Sequence, residues 1–239
     1  MQILFDIWGF FVSIWDSFYS SVIYDNRYKY ILEGLFNTIT IAFFAVIIGV
    51  VIGIAIALIR NYYDKTNKLK LLNSLTKLYV NIIRGTPVIL QLMIIYYVIF
   101  KSVNINIVLV GILAFGINSG AYVSEIIRAG INSIDKGQME AGYSLGFTYS
   151  KVMQYILMPQ AIRNILPALG NEFITLLKET SVGAYIGIIE LTKASDIIAS
   201  RTYDYFFPLI IIAMIYLVLT LGLSKLVNIM EAKLNNDRN

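Results

Sequence analysis

Long apolar runs, separated by shorter polar stretches, set the pattern of this chain. Five runs stand out, at residues 35–59, 78–100, 105–127, 162–181 and 206–227. Each is close to the roughly 20 residues that a helix needs to cross a bilayer. The pattern therefore predicts an all-α fold, a polytopic membrane bundle with five spans.

The first 30 residues follow a different pattern. Residues 3–24 are rich in Phe, Trp and Tyr, and polar residues such as Asp6 and Asp16 interrupt them. Aromatic content with polar breaks is typical of a helix at the membrane interface. We assign residues 1–30 to an interfacial or periplasmic segment, with a short additional span as the alternative.

Glycine and proline mark two special places within the runs. Gly49 and Gly53 form a G-x-x-x-G pattern, which lets a neighbouring helix approach closely. The stretch Arg84-Gly85-Thr86-Pro87 interrupts the second run early, because proline removes a backbone donor and glycine loosens the turn. Broken backbone at membrane depth is tolerated only where protein or water covers it, so we expect this break to face a pathway or a packed junction.

Composition agrees with a membrane protein and excludes several kinds of chemistry. Hydrophobic residues make up 58% of the chain and charged residues 14%, against about 25% charged in a typical soluble domain. Cysteine and histidine are both absent, which excludes disulfides, thiolate chemistry and imidazole bases. No G-x-x-x-x-G-K-[ST] pattern occurs, so we expect no ATP-binding P-loop. We expect no cofactor, no metal and no catalytic residue.

Basic residues predict the orientation. Arg84 and Lys178 lie within spans and are not counted. With five spans and the N-terminus outside, the cytoplasmic segments carry Arg60, Lys65, Lys68, Lys70, Lys77, Arg128, Lys136, Lys151, Arg163, Lys225, Lys233 and Arg238. The outside carries Arg27, Lys29, Lys101, Lys193 and Arg201. Lysine and arginine favour the cytoplasmic side, so this excess predicts the N-terminus outside and the C-terminus inside. Residues 31–230 then form the membrane domain and residues 231–239 a cytoplasmic tail.

The longest stretch between spans, residues 132–160, carries a spaced motif. It contains Glu140-Ala141-Gly142-Tyr143-Ser144-Leu145-Gly146, then nine residues, then Ile156-Leu157-Met158-Pro159. This resembles the cytoplasmic EAA loop of ABC-importer permeases, E-A-A-x-x-x-G-x9-I-x-L-P. Gly142 replaces the second alanine and Met158 replaces leucine, and both changes keep the surface small or apolar. We call residues 132–160 the coupling loop.

The physical properties of the motif residues fit a docking element. Ala141 and Gly142 are small enough for a helix to sit deeply in a partner's groove, and Glu140 offers a charge for a basic partner. Gly146 permits a sharp turn with positive φ. Pro159 suits the first turn of the next membrane helix.

Three further stretches resemble the His/Gln/Glu/Arg/opine permease group. Residues 84–91, 118–128 and 166–181 are similar to the second, third and fourth spans of that group. The resemblance implies the five-span core of a type I ABC importer permease that carries a polar amino acid, of the arginine, lysine and histidine class or of the glutamine class. It also implies a permease dimer, two cytoplasmic ATPase subunits and an external substrate-binding protein.

Polar residues inside the spans are the candidates for substrate contact. An intramembrane charge costs at least about 2.5–3.5 kcal/mol on insertion scales, so such residues usually face a cavity or a partner. The candidates are Gln91, Asn118, Ser119, Tyr122, Glu125, Asn171, Glu172 and Thr175. Carboxylates such as Glu172 would hold an ammonium or a cationic side chain, which favours a substrate such as arginine. The alternative is that Glu125 or Glu172 pairs with Arg84, Arg128 or Lys178 to lock helices together.

Three other functions stay open from the residues alone. A self-contained secondary transporter or channel would need inverted repeats or paired broken helices, and none is evident. An intramembrane enzyme would need a nucleophile and a base, and no such constellation stands out. An ABC permease for methionine or a metal chelate differs from our prediction only through the family resemblance. The sequence also leaves open whether the dimer has identical halves.

Overall fold

The structure is a computed structural model that describes residues 2–236, and within them the side chains of residues 8, 9 and 12–234. The described residues form helices joined by short turns. The helices are α1 Gln2–Phe18, α2 Tyr28–Thr66, α3 Lys70–Gly85, α4 Val88–Ile94, α5 Ile107–Asn132, α6 Lys136–Ser144, α7 Tyr149–Val152, α8 Met158–Glu179, α9 Leu191–Thr202 and α10 Phe206–Asn236. The predicted tail residues 237–239 lie outside the described part.

Three helices are long and apolar enough to cross a membrane, namely Tyr28–Thr66, Ile107–Asn132 and Phe206–Leu234. Lys70–Gly85 and Val88–Ile99 meet at a bend of 111° and give up to four spans if they are counted as one. The count refers to residues 2–236 only. It leaves α8 out, because polar and charged residues such as Arg163 and Glu172 lower the mean hydropathy of that helix. Five spans therefore stay a prediction.

Helices α2 and α5 form the most closely packed pair in the bundle. A Cβ added at Gly49 would lie 2.6 Å from Ser119 Oγ, and one at Gly53 would lie 2.5 Å from Val123 Cγ1. The close approach expected from the G-x-x-x-G pattern is present. The core continues outward from this contact through fully buried Ile41 and Phe115.

The predicted break at Arg84–Pro87 is present, but the helix before it begins earlier than expected. We predicted a span from residue 78, whereas α3 begins at Lys70. The reason is that α3 is amphipathic: Leu71, Leu75 and Leu78 are exposed, while Asn73 is buried. Such a helix has no uninterrupted apolar run, so its first two turns resemble a polar loop in the sequence.

A helix that the sequence pattern did not reveal, α9, follows a short turn after α8. Its first turn is capped by Glu190, whose carboxylate accepts hydrogen bonds from the backbone N–H groups of Thr192 (2.8 Å) and Lys193 (2.6 Å). Tyr216 of α10 donates a third hydrogen bond at 3.2 Å. Glu190 is fully buried, and burial raises its pKa to about 7. This carboxylate, at the start of α9, therefore joins α9 to Tyr216 within the span formed by α10.

Candidate functional site

A cavity of about 450 Å³ lies between α3, α5 and α8, and we call it the α5–α8 cavity. Its lining residues are Arg84, Tyr122, Glu125, Ile126, Ala129, Ala168, Asn171, Glu172 and Thr175. Five of the eight predicted contact residues line it, namely Tyr122, Glu125, Asn171, Glu172 and Thr175. The polar faces of the third and fourth predicted spans therefore meet, as their helical spacing indicated.

Glu172 faces this cavity with a neutral partner. Ser119 donates a hydrogen bond from its Oγ to Glu172 Oε1 at 2.8 Å. Ser119 is itself fully buried against Gly49, so it positions Glu172 and does not line the cavity. Among the described residues, Glu172 forms no ion pair with a basic side chain. The helix-locking alternative therefore does not describe Glu172.

Glu125, by contrast, is surrounded by arginines. Its carboxylate lies 2.7 Å from Arg60 Nη1, 2.6 Å from Arg128 Nη2 and 3.8 Å from Arg84 Nη1. The side chains of Glu125 and Arg60 are 18% and 15% exposed, whereas that of Arg128 is 54% exposed. The i, i+3 pair with Arg128 was expected from the spacing, but Arg60 was counted only as a loop charge. For Glu125 the structure favours the pairing alternative.

Gln91 and Asn118 lie outside the α5–α8 cavity and support the bend instead. Asn118 donates from its Nδ2 to Gln91 Oε1 at 2.9 Å. Gln91 Nε2 donates to the carbonyl oxygens of Ile83 (2.8 Å) and Thr86 (3.0 Å). These are carbonyls that the break at Pro87 leaves without helical donors. Both residues were predicted to contact the substrate, and the structure places them as braces of the broken helix.

The coupling loop has the predicted shape. Helix α6 ends before Gly146, which has φ of 76°, and α7 begins shortly after it. Pro159 lies in the first turn of α8, as expected. Glu140 and Ala141 are exposed, but Gly142 is buried, and a Cβ there would lie 2.7 Å from Val152 Cγ2. We expected Gly142 to face a partner, and this was wrong: its small size allows α6 to pack on α7.

An exposed apolar patch on the same loop was not predicted. Tyr143, Leu145 and Phe147 are 46%, 73% and 40% exposed around the turn at Gly146. An apolar patch next to charged Glu140 is typical of a protein interaction site. Tyr149 fixes the loop to α2, because its hydroxyl donates to Asn61 Oδ1 at 2.5 Å and its ring lies 4.3 Å from Lys65 Nζ.

The loop and its bundle match a known family. Residues 49–236 match the family described as binding-protein-dependent transport system inner membrane component. The chain belongs to this family. Its members are permease subunits of membrane transport systems, so the predicted fold class, permease role and membrane location are confirmed at that level.

Individual members of the family are similar over most of the chain. A putative glutamine transport system permease protein of Rickettsia prowazekii is 40% identical over 88% of this chain and 95% of its own length. An arginine transport system permease protein of Bacillus subtilis is 41% identical over 87% of this chain and 94% of its own length. A crystal structure of an amino acid ABC transporter with histidines has a TM-score of 0.79 and 47% identity, covering 86% of this chain and 94% of that one.

Proposed function

We propose that this permease subunit belongs to an ATP-driven ABC importer and carries a polar amino acid across the cytoplasmic membrane. The observation that carries the proposal is the α5–α8 cavity, which Glu172 faces without forming an ion pair to any described residue. Its volume of about 450 Å³ lies within the range of small-molecule sites, which is roughly 300–1,000 Å³. The glutamine and arginine permeases among its relatives support the same class of substrate.

The charges of the cavity suggest how the substrate binds. Two carboxylates, Glu125 and Glu172, line it together with one guanidinium, that of Arg84. Glu172 holds the ammonium group or a cationic side chain, while Arg84 and Asn171 hold the α-carboxylate. Tyr122, whose ring lies 5.5 Å from the Arg84 guanidinium, keeps Arg84 at the rim. This arrangement suits arginine, lysine or histidine and admits glutamine.

The coupling loop is the proposed contact for the ATPase. Its patch of Tyr143, Leu145 and Phe147 would seat in a groove of the partner, with Glu140 pairing to a basic residue at the rim. The proposed assembly contains two ATPase copies, a second permease copy or paralogue and an external substrate-binding protein. ATP hydrolysis then belongs to the partner, and this chain is not catalytic.

The proposed orientation is N-terminus outside, C-terminus inside, with five spans and the coupling loop in the cytoplasm. Asn67 follows α2 and Ser102 precedes α5, and both positions are exposed. A cysteine at Ser102 should react with an impermeant reagent added outside, and a cysteine at Asn67 should be shielded. The reverse labelling pattern would overturn the orientation.

Uptake by the whole complex in proteoliposomes tests the function. Labelled arginine should enter only with ATP and binding protein present, and we would compare competition by glutamine, histidine and glutamate. Gly146→Val should strain the positive-φ turn and reduce both ATPase copurification and uptake, while the chain itself still folds. ATP-independent uptake by the chain alone would instead indicate a secondary transporter. Full copurification and normal uptake of Gly146→Val would remove the docking role.

A further inference from the structure

Another cavity, of about 430 Å³, lies on the outside of the bundle, where the end of α2 meets α7 of the coupling loop. We call it the α2–α7 cavity. Its walls are formed by Leu58, Ile59, Asn61, Tyr62, Lys65, Leu69 and Tyr149. Its lining residues do not overlap with those of the α5–α8 cavity, and the function proposed above makes no use of it.

The face of α2 along this cavity changes from apolar to basic. Leu58, Tyr62 and Lys65 are four and three residues apart, so they lie on one side of the helix. Leu58 and Tyr62 are 64% and 45% exposed, and Lys65 is exposed too. An aliphatic side chain, an aromatic hydroxyl and an amine in this order match the hydrocarbon, interfacial and headgroup layers of a bilayer.

The depth of Lys65 fits the headgroup layer. Lys65 follows the apolar run 35–59 by six residues, which is about 9 Å along a helix. Headgroups extend roughly 5–7 Å beyond the hydrocarbon on each side of a bilayer, and the ammonium group of a lysine bends toward them. A phosphate bound at Lys65 therefore has its acyl chains beside Leu58, two turns earlier on the same face.

The charge around the cavity is positive and largely uncompensated. Residues 60–77 carry five basic residues and one acid. Arg60 is paired with Glu125, but Lys65, Lys68 and Lys70 form no ion pair with any described residue. Lys65 Nζ lies 4.3 Å from the ring of Tyr149, a contact that occupies none of its N–H donors. Basic clusters directly after a membrane span attract anionic lipids.

We propose that the α2–α7 cavity binds one anionic phospholipid. Its phosphodiester accepts hydrogen bonds from Lys65 Nζ, and one of its acyl chains lies along Tyr62 and Leu58. Tyr149 faces the same headgroup, so the lipid joins α2 to the coupling loop. The phosphodiester on an apolar chain is common to several anionic phospholipids. Placing the site in the cytoplasmic leaflet rests on the orientation proposed above, whereas lipid binding itself does not.

The test measures lipid binding to the purified permease chain, without ATPase, in a neutral detergent. The probes are palmitoyl-oleoyl phosphatidylglycerol, the phosphatidylcholine with the same acyl chains, and glycerol phosphate, which has no acyl chains. Native mass spectrometry should show one retained phosphatidylglycerol, bound about fivefold or more tightly than phosphatidylcholine. Glycerol phosphate should not displace it. Displacement would show a site for soluble anions, and equal affinity for the two lipids would show ordinary boundary lipid. Either result would overturn the proposal.

Lys65→Gln tests the headgroup contact. Lys65 is exposed and has no ion pair among the described residues, so the variant should unfold at the same temperature as its parent. Its affinity for phosphatidylglycerol should nevertheless fall about fivefold, and Lys65→Arg should keep it. Lys225→Gln, at an exposed position on α10 outside the cavity, is the matched control and should change nothing. Equal losses in Lys65→Gln and Lys225→Gln would show attraction to the whole surface and no site.

Leu58→Ala tests the acyl-chain contact. It shortens the apolar wall of the cavity, so affinity for phosphatidylglycerol should fall about threefold. Leu226→Ala is the matched control, because Leu226 of α10 is also 64% exposed but lies outside the cavity. It should bind the lipid like the unmutated chain. The same affinity in both variants would contradict an acyl chain at Leu58.

The contact with the coupling loop has a measurement of its own. In nanodiscs, the backbone N–H groups of residues 149–153 should exchange with deuterium more slowly in phosphatidylglycerol than in phosphatidylcholine, and Lys65→Gln should remove this difference. Equal exchange in the two lipids would contradict a lipid that joins α2 to this loop. Normal ATP-driven uptake without any preference for phosphatidylglycerol would contradict the lipid site alone. A preference that depends on Lys65, together with ATP-independent uptake, would contradict the transport proposal alone.

Discussion

Two cavities lie on either side of Glu125 and differ in charge: the α5–α8 cavity, and a cavity of about 590 Å³ between α2, α3 and α5, which we call the α2–α3 cavity. In the α5–α8 cavity two carboxylates face one guanidinium, whereas in the α2–α3 cavity four basic side chains face two carboxylates. Arg84 and Glu125 belong to both. The difference therefore comes from what each cavity adds to that shared pair: Glu172 on one side, and three basic residues with one acid on the other, namely Arg60, Lys77, Arg128 and Asp64.

The same contrast separates the two glutamates. Within the described part of the chain, the hydrogen-bond partner of Glu172 is the neutral hydroxyl of Ser119, so the carboxylate stays available to a ligand. Glu125 lies among three guanidinium groups and is already neutralised. A carboxylate inside a span does not by itself indicate a binding site. Its role depends on the side chains that the tertiary fold places next to it.

The largest effect is expected at the shared residue. Glu125→Gln removes the one carboxylate that holds three arginines and leaves Arg60, which is largely buried, without a counter-charge. We expect a loss of about 3 kcal/mol of stability, as for other broken buried pairs, and weaker binding of a cationic substrate in the α5–α8 cavity. Thermal unfolding in detergent measures it. Arg128→Gln is the control, and it should cost less than about 1 kcal/mol because Arg128 is mostly exposed. Equal effects of the two variants would contradict the central position of Glu125.

The next effect is confined to one cavity. Glu172→Gln keeps the size of the side chain and its bond from Ser119 but removes the charge. Affinity for arginine should fall roughly tenfold to a hundredfold, since a charge-assisted hydrogen bond contributes about 1.5–3 kcal/mol. Substrate-stimulated ATPase activity of the complex measures it, with thermal unfolding alongside. Normal affinity in a well-folded variant would remove Glu172 from the binding site.

Several features of the fold could be predicted from the sequence, because each depends on the conformational preference or the size of a single residue. The positive φ of Gly146, the helix start at Pro159 and the close approach at Gly49 and Gly53 each depend on one residue type in one setting. The family and its permease role were also predicted correctly, through the spacing of the coupling loop. The number of spans, the orientation and the substrate contacts stay predictions.

The rest depended on tertiary contacts that no spacing encodes. Gln91 was predicted as a substrate contact because it is polar within a span, but it binds carbonyls freed by Pro87. Arg60 follows an apolar run and resembled a loop charge, yet α5 brings Glu125 to it across 65 positions of sequence. The small size of Gly142 makes room for Val152 of α7, which lies beyond the turn at Gly146. In each case the partner lies on another element.

Arg84→Gln should produce smaller changes of opposite sign in the two cavities. The Arg84 side chain is 47% exposed and 3.8 Å from Glu125, so its removal should alter stability by less than about 1 kcal/mol. It should raise the affinity of the α5–α8 cavity for an added cationic probe such as agmatine, which has no carboxylate. In the α2–α3 cavity, where it removes one of four basic side chains, it should weaken binding of an added anion. Each change should be about twofold to fivefold, given the exposure of the charge. Changes of the same sign would show that the two cavities do not differ in charge as described.

Glu190→Gln should leave the affinity for arginine unchanged, because Glu190 caps α9 outside both cavities. The variant shows whether losing any buried carboxylate disturbs binding.

The pKa of Glu190 is raised from 4.5 to about 7, so the folded protein holds a proton there that the unfolded chain releases above pH 4.5. This contribution to stability is therefore complete below pH 4.5 and is lost as the pH rises to about 7. Glutamine keeps one of the two oxygens that accept from the N–H groups of Thr192 and Lys193, and it does not titrate.

The melting temperature of Glu190→Gln, relative to the unmutated chain, should consequently be higher at pH 8 than at pH 5. Asp196→Asn on the same helix is the matched control, since Asp196 is 51% exposed and pairs only with Lys193 at 2.7 Å among the described residues. It should give the same difference at both pH values, because an exposed pair gains little from its charge. Parallel pH profiles for Glu190→Gln and the unmutated chain would show that Glu190 stays ionised in the folded state. A change in arginine affinity would show that the α5–α8 cavity responds to buried charge elsewhere in the bundle, so that Arg84, Glu125 and Glu172 alone would not set its charge.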